Sequence, residues 1–301
     1  MSKKENDTLN EPKGLTTRQA ELLLAFSVVV RGSALLFSKL ALETMGPFTV
    51  IAYRTTIAFI VLAVIFHKRL LAASKTDWIY SALIAVGYFA SMALEQLGLR
   101  TTSSSTTGFI ENLVVVMIPM TDAALRRARP ERKIVESALL ALAGATLLTL
   151  FSEGRVFSEG FTGGELYIFA STFAYTAAII MIDRFAKAGD AFNIGIIHLL
   201  FIAIYSSGAA FLFEDPALPA SPAVWGEIMY LALISTALGF TILPIAQKYT
   251  SAERTGIINA LNPVTAMVLG VAFLGERFNA LGLVGAALIL FSIYWSSKPG
   301  K

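Results

Sequence analysis

The stretch "TSSSTTGFIENL" (residues 102–113) returns later in the same chain as "TSAERTGIINAL" (250–261), with Thr107-Gly108 falling on Thr255-Gly256 and Glu111 on Asn259. The echo extends in both directions. "YSALIAVGYFA" (80–90) matches "YLALISTALGF" (230–240), "RPERK" (129–133) matches "LGERF" (274–278), and "LAGATLL" (142–148) matches "LVGAALI" (283–289). The chain is therefore written twice. The copies differ in one spacing: Gly108 to Pro119 is four residues longer than Gly256 to Pro263, about one helical turn.

Composition says what each copy is made of. Hydrophobic residues make up 55% of the 301, charged residues only 15%, and the mean hydropathy is +0.67. Soluble domains carry about a quarter charged residues, so lipid is the expected solvent. A helix needs about 20 apolar residues to cross a ~30 Å hydrocarbon layer. Ten such runs occur, near 22–42, 47–66, 78–99, 102–125, 134–151, 163–182, 192–213, 225–246, 253–274 and 279–296. The runs are continuous rather than alternating, which selects helices over a barrel. The connections are too short to hold a soluble catalytic domain. The reading is an all-α integral membrane protein with an N-terminal tail (1–20), a first five-helix repeat (21–151) and a second (163–297).

Five is an odd number, so the second repeat must enter the bilayer from the opposite side. The two are then related by a pseudo-twofold axis in the membrane plane. Inverted repeats of this kind build alternating-access transporters whose substrate site lies at mid-depth between the halves; a duplicated scaffold without transport is the other reading. Basic residues set the orientation. With both termini cytoplasmic, 18 of the 24 Lys and Arg face the cytoplasm and only Arg100, Arg155 and Arg277 face outward. Arg31, Lys39 and Arg54 remain inside spans. Topology thus accounts for the pI near 9.0, and no nucleic-acid partner is implied. The expected location is a cell inner (plasma) membrane, crossed many times.

"PFTVIAYRTTIAFIVLAV" (47–64) and "NALNPVTAMVLGVAFLGERF" (259–278) resemble the Pro-x₆-Arg second helix and the Pro-centred, Gly-Glu-Arg-ended ninth helix of the drug/metabolite transporter superfamily, in its ten-helix EamA-type branch. Within that branch the chain resembles the YddG-type aromatic amino-acid exporters. The resemblance covers nearly the whole chain. It implies export of small metabolites, amino acids and aromatic ones foremost, through a central cavity lined by helices 1, 3, 4, 6, 8 and 9, with 5 and 10 peripheral. Proton-coupled multidrug efflux and a nucleotide-sugar-like carrier are the alternatives. The chain departs from the family at Arg31-Gly32, where Trp-Gly is common.

Arg31 lies in "VVVRGSALLF" (28–37), the middle of the first span. A central arginine costs about 2.5–3.5 kcal/mol on insertion scales, and the twelve Leu, Val and Phe residues between Leu22 and Leu42 offset it at about 0.3–0.6 each. The span inserts, but Arg31 must face protein or water. Lys39 is expected to snorkel and to pair with Glu43 at i+4. Arg54 is expected to be a structural intramembrane charge. Glu111 is the acid expected nearest mid-membrane, with Glu95 and Asp122 nearer helix ends; it serves either as a partner for an arginine or as a proton carrier. The repeat sets Glu111 against Asn259, and Asn262 shares a helix face with Asn259. Phe37, Tyr88, Phe173 and Tyr175 are the mid-span aromatics on presumed lining helices. An aromatic amino acid would meet rings through its ring, Arg31 through its carboxylate, and Glu111 or an Asn through its ammonium.

Pro119, Pro244 and Pro263 fall inside spans, as gating bends or static kinks. Ser137, Ala141, Ala145 and Gly282, Ala286 place small residues one turn apart on helices 5 and 10, which suits their packing on each other or a dimer contact; a monomer is expected otherwise. The expected partners are a small-molecule substrate and the lipid bilayer. No cysteine occurs, His67 and His198 are the two histidines, and no hydrolase, metalloprotease or nucleotide-phosphate motif is present. No catalytic residue, metal or cofactor is implied, and an intramembrane enzyme is the disfavoured reading.

Overall fold

A computed structural model describes residues 15–102, 104–153, 163–274 and 280–297. The ten spans become α1 (Thr17–Ala41), α2 (Pro47–Leu71), α3 (Lys75–Leu99), α4 (Ser104–Glu111 and Val114–Leu125), α5 (Arg132–Glu153), α6 (Gly164–Ala188), α7 (Ala191–Phe213), α8 (Pro222–Gln247), α9 (Ala252–Asn259 and Leu261–Leu274) and α10 (Ala280–Ser297). Among the described residues there is no strand. Polar residues at the bundle ends start the helices. Thr16 and Gln19 form a reciprocal cap on α1, Ser74 and Asp77 another on α3, and Ser221 and Ser251 cap α8 and α9. The first helix thus begins at Thr17, a turn before its apolar run.

Helix pairing follows the duplication. α2 packs on α7, α4 on α9 and α5 on α10, each with its own repeat counterpart. The contact of α3 with α6 is mirrored by that of α8 with α1. Every major interface therefore joins the two repeats, as a twofold relation between interlocked units requires. The largest apolar core lies among α2, α3, α6, α7 and α8, around Tyr88, Ile179, Ile196 and Phe240.

Three spans are broken at mid-depth. In α1 the interruption is at Ser33, directly after Arg31-Gly32. Gly32 lies against α9, where a Cβ would come 3.1 Å from Asn262 Oδ1. In α4 it follows Glu111, where the Asn112 side-chain amide donates to the Gly108 carbonyl at 2.7 Å and competes with the helix for it. In α9 it follows Asn259. Pro263, four residues on, has no N–H to give the Asn259 carbonyl. The proline expectation therefore needs correction at two of three sites. Pro119 lies inside a continuous half-helix, and Asn112 rather than Pro119 breaks α4; α8 likewise runs helically through Pro244. The irregularity in α8 lies upstream, where Leu231–Leu238 widens into a π-helix.

The small-residue faces of α5 and α10 meet within the chain. Ser137, Ala141 and Ala145 are fully buried, and at the crossing a Cβ on Gly144 would lie 2.6 Å from the Gly285 carbonyl oxygen. Of the two contacts expected for this stripe, the packing of helix 5 on helix 10 is present, for the two backbones touch there. Gly144→Val is expected to destabilise the fold by about 1–3 kcal/mol through overpacking, read as a lowered Tm in detergent; an unchanged Tm would contradict the close crossing.

Acids also tie the repeats at the bundle ends. The Glu214 carboxylate accepts from Phe48 N and Thr49 N, both at 2.9 Å, capping α2 where Gly46 offers no side chain. At the other end Asp77 accepts from Asp190 N at 2.9 Å beside Gly189, and Asp190 caps α7 while pairing with Arg69 at 2.9 Å. Burial pulls the Asp190 carboxyl upward, but the Asn193 N–H, Arg69 and the Phe192 N–H outweigh it and hold the carboxyl below its ordinary value. A depressed carboxyl stabilises the fold above its unfolded pKa and loses that contribution as pH falls through the folded one. Between about pH 5 and about pH 3 the Tm of Asp190→Asn is expected to fall less steeply than that of the unaltered chain.

Candidate functional site

The break in α1 leaves Arg31 on the last turn of a half-helix near the bundle's middle, about 21 Å along from Thr17. Its guanidinium lies 4.5 Å from the Phe240 ring centroid and 5.3 Å from that of Tyr175. Two aromatic faces thus stand in for water around the cation. Its Nη1 donates to the Tyr175 hydroxyl at 2.9 Å, and that hydroxyl donates to Asn259 Oδ1 at 3.3 Å. α8 passes close behind: a Cβ on Gly239 would collide with Arg31 Cγ, and Ser27 Oγ donates to the Gly239 carbonyl at 2.6 Å. Glycine at 239 is what lets the arginine stem lie flat between α1 and α8.

Around this guanidinium several polar atoms are buried with no hydrogen-bond partner among the described residues. They are Arg31 Nε and Asn259 Nδ2, which donate; Glu111 Oε1 and Asn262 Oδ1, which accept; and the Tyr88 hydroxyl, which does either. Buried polar groups are ordinarily paired, so this concentration sets the place apart from the rest of the bundle. Tyr88 is 1% exposed, with its ring 6.0 Å from Tyr175 and 5.1 Å from Phe240. His198, fully buried on α7, lies 5.6 Å from the Tyr88 ring. Its Nδ1 bonds the Ile194 carbonyl at 2.8 Å, so that nitrogen carries the hydrogen and leaves Nε2 unpartnered.

Arg54 occupies a separate niche. It is 3% exposed, and its Nε and Nη2 donate to Thr236 Oγ1 at 2.8 Å and Ser235 Oγ at 3.1 Å, both in the π-helical turn of α8. The widened turn brings two adjacent hydroxyls onto one guanidinium. Glu95 stands within charge range of both Arg54 and Arg31, and Glu111 within range of Glu95 and Arg31. Two guanidiniums and two carboxyls therefore form one electrostatic group with no direct ion pair among the described residues.

Of the expected site residues, the fold brings Arg31, Tyr88, Glu111, Tyr175, Asn259 and Asn262 together. Phe37 lies elsewhere, in the second half of α1, with its ring centroid 4.1 Å from that of Tyr230 on α8 in a tilted arrangement. Phe173 is a correction: it is 55% exposed and packs on Phe169 along the outer face of α6. Two residues apart on a helix means about 200° of rotation, so with Tyr175 inward Phe173 must face out. Lys39 also differs from expectation, donating to the Leu99 and Thr102 carbonyls at the end of α3. Glu95, His198 and Phe240 were missed. Glu95 had a signal, lying two turns from Tyr88 on one helical face with Ser91 between; Phe240 had none.

An inverted-repeat bundle with broken helices meeting at a polar mid-depth site is the architecture of a membrane transporter. The EamA-like transporter family profile matches the chain twice, over residues 18–150 and 162–298, and the chain belongs to that family. An uncharacterized transporter of Archaeoglobus fulgidus is 24% identical over 93% of this chain and 86% of its own length. The uncharacterized transporter YcxC of Bacillus subtilis is 26% identical over 92% and 91%. A WAT1-related chloroplastic protein of Arabidopsis thaliana is 24% identical over 96% and 73%. A solved crystal structure shares the fold, with a TM-score of 0.76 at 20% identity over 93% of this chain and 96% of that one.

Ser235→Ala combined with Thr236→Val strips Arg54 of both acceptors and is expected to cost about 1–3 kcal/mol. Adding Arg54→Met should recover part of that loss, since the unpaired buried cation goes with it. Detergent melting curves of the unaltered chain and the two variants check the order.

Proposed function

We propose that this membrane transporter exports small zwitterionic metabolites, amino acids and aromatic ones among them, by alternating access between the two repeats. The observation that carries the reading is the group of unpartnered donors and acceptors around one guanidinium at mid-depth. A zwitterion needs both kinds. Its carboxylate suits Arg31, whose Nε is unpartnered, with the Asn259 amide beside it. Its ammonium suits Glu111 Oε1 or Asn262 Oδ1. Tyr88 and Phe240 offer ring faces to an aromatic side chain. A purely cationic drug would meet Arg31 as a like charge. The skew of 18 basic residues against three supports a chain with both termini cytoplasmic in an inner (plasma) membrane, with export toward the poorly basic side.

The test is counterflow of labelled L-phenylalanine in proteoliposomes. Arg31→Ala is expected to lower uptake by roughly tenfold, as the loss of a charged hydrogen-bond partner would, while Phe173→Ala leaves it near the unaltered level. Unchanged uptake in Arg31→Ala would rule out its role at the carboxylate.

A further inference from the structure

We infer that Tyr175 is a positioning residue that links the breaks in α1 and α9, rather than a substrate contact. The inference rests on the transport reading above and deepens it. The Tyr175 hydroxyl has a single proton, which goes to Asn259 Oδ1, while Arg31 Nη1 donates to its oxygen. It therefore has no hydrogen left to offer a ligand. Its two partners do: Arg31 Nε and Asn259 Nδ2 are both buried and unpartnered. A ligand that draws either group must turn the other through the hydroxyl between them.

Each partner also sits where a helix gives way. Arg31 is two residues before the interruption at Ser33, and Asn259 ends the first half of α9, with Ala260 turning before Leu261–Leu274. The first half of α1 already touches the second half of α9, at Gly32 with Asn262 and Thr265. Tyr175 itself is on an unbroken helix, α6, the repeat counterpart of α1. A rigid helix thus holds one hydroxyl against two flexible joints. In a fixed arrangement the relay orients Arg31 for the ligand; when the joints move, both half-helices shift as a unit.

Tyr175→Phe removes only the oxygen and keeps the ring that flanks Arg31. For L-phenylalanine counterflow, KM is expected to change by less than about threefold and Vmax to fall by about tenfold, the worth of about one hydrogen bond. A tenfold rise in KM at unchanged Vmax would make Tyr175 a simple substrate contact and overturn the inference, as would transport equal to the unaltered chain. A second measurement does not depend on the substrate. The chain has no cysteine, so Leu40→Cys with Val268→Cys places spin labels only on the exposed second halves of α1 and α9. Without any ligand, Tyr175→Phe and Asn259→Ala are each expected to broaden the interlabel distance distribution. Unchanged distributions in both would overturn the relay. Absence of any L-phenylalanine transport by the unaltered chain, with the broadening present, would instead refute the proposed substrate and leave the relay standing.

Discussion

A guanidinium at the middle of a lipid-spanning helix is the constraint that organises this molecule. Arg31 cannot face hydrocarbon, so the bundle must enclose it with groups that replace water. It does so with the Phe240 and Tyr175 rings, the Tyr175 hydroxyl and the carboxyls of the nearby charge group. Phe240, Tyr175 and Glu111 each come from a different helix. The requirement to solvate one cation therefore draws α1, α4, α6 and α8 to a common point, and Asn259 adds α9.

The two buried arginines show how surroundings divide labour between like side chains. Arg54 has its Nε and Nη2 bonded to neutral hydroxyls and is shut from solvent, so it is satisfied and fixed. Arg31 has one bonded nitrogen, one unpartnered nitrogen and a partly accessible side chain, so it retains capacity to bind. The carboxyls follow the same division less sharply. Neither Glu95 nor Glu111 makes a direct ion pair with Arg31 or Arg54.

The broken helices have local causes, and these differ from one another. A side-chain amide breaks α4, a missing N–H breaks α9, and a close-packed Gly-Ser step breaks α1. In each case the interruption follows a polar residue aimed at the centre: Glu111, Asn259 and Arg31. Half-helix ends are where backbone groups and polar side chains are available together, which is why a polar site at mid-depth is placed there rather than on continuous helices.

Sequence alone determined the solvent, the number of spans, the duplication and its inversion, because apolar run length and repeat spacing are local or additive properties. It also singled out Arg31, Glu111, Tyr175 and Asn259 as candidates, since an ionisable or hydrogen-bonding group in an apolar run stands out against its background. Only the tertiary structure decided which aromatic faces inward, for Phe173 and Tyr175 are indistinguishable until α6 is rotated against its neighbours. It alone showed that Glu95, read as lying near a helix end, belongs to the charge group, that Phe240 covers Arg31, and that Asn112 rather than Pro119 interrupts α4. These depend on the angle and depth at which separate helices meet, and that information resides in packing between distant segments rather than in any one stretch of chain.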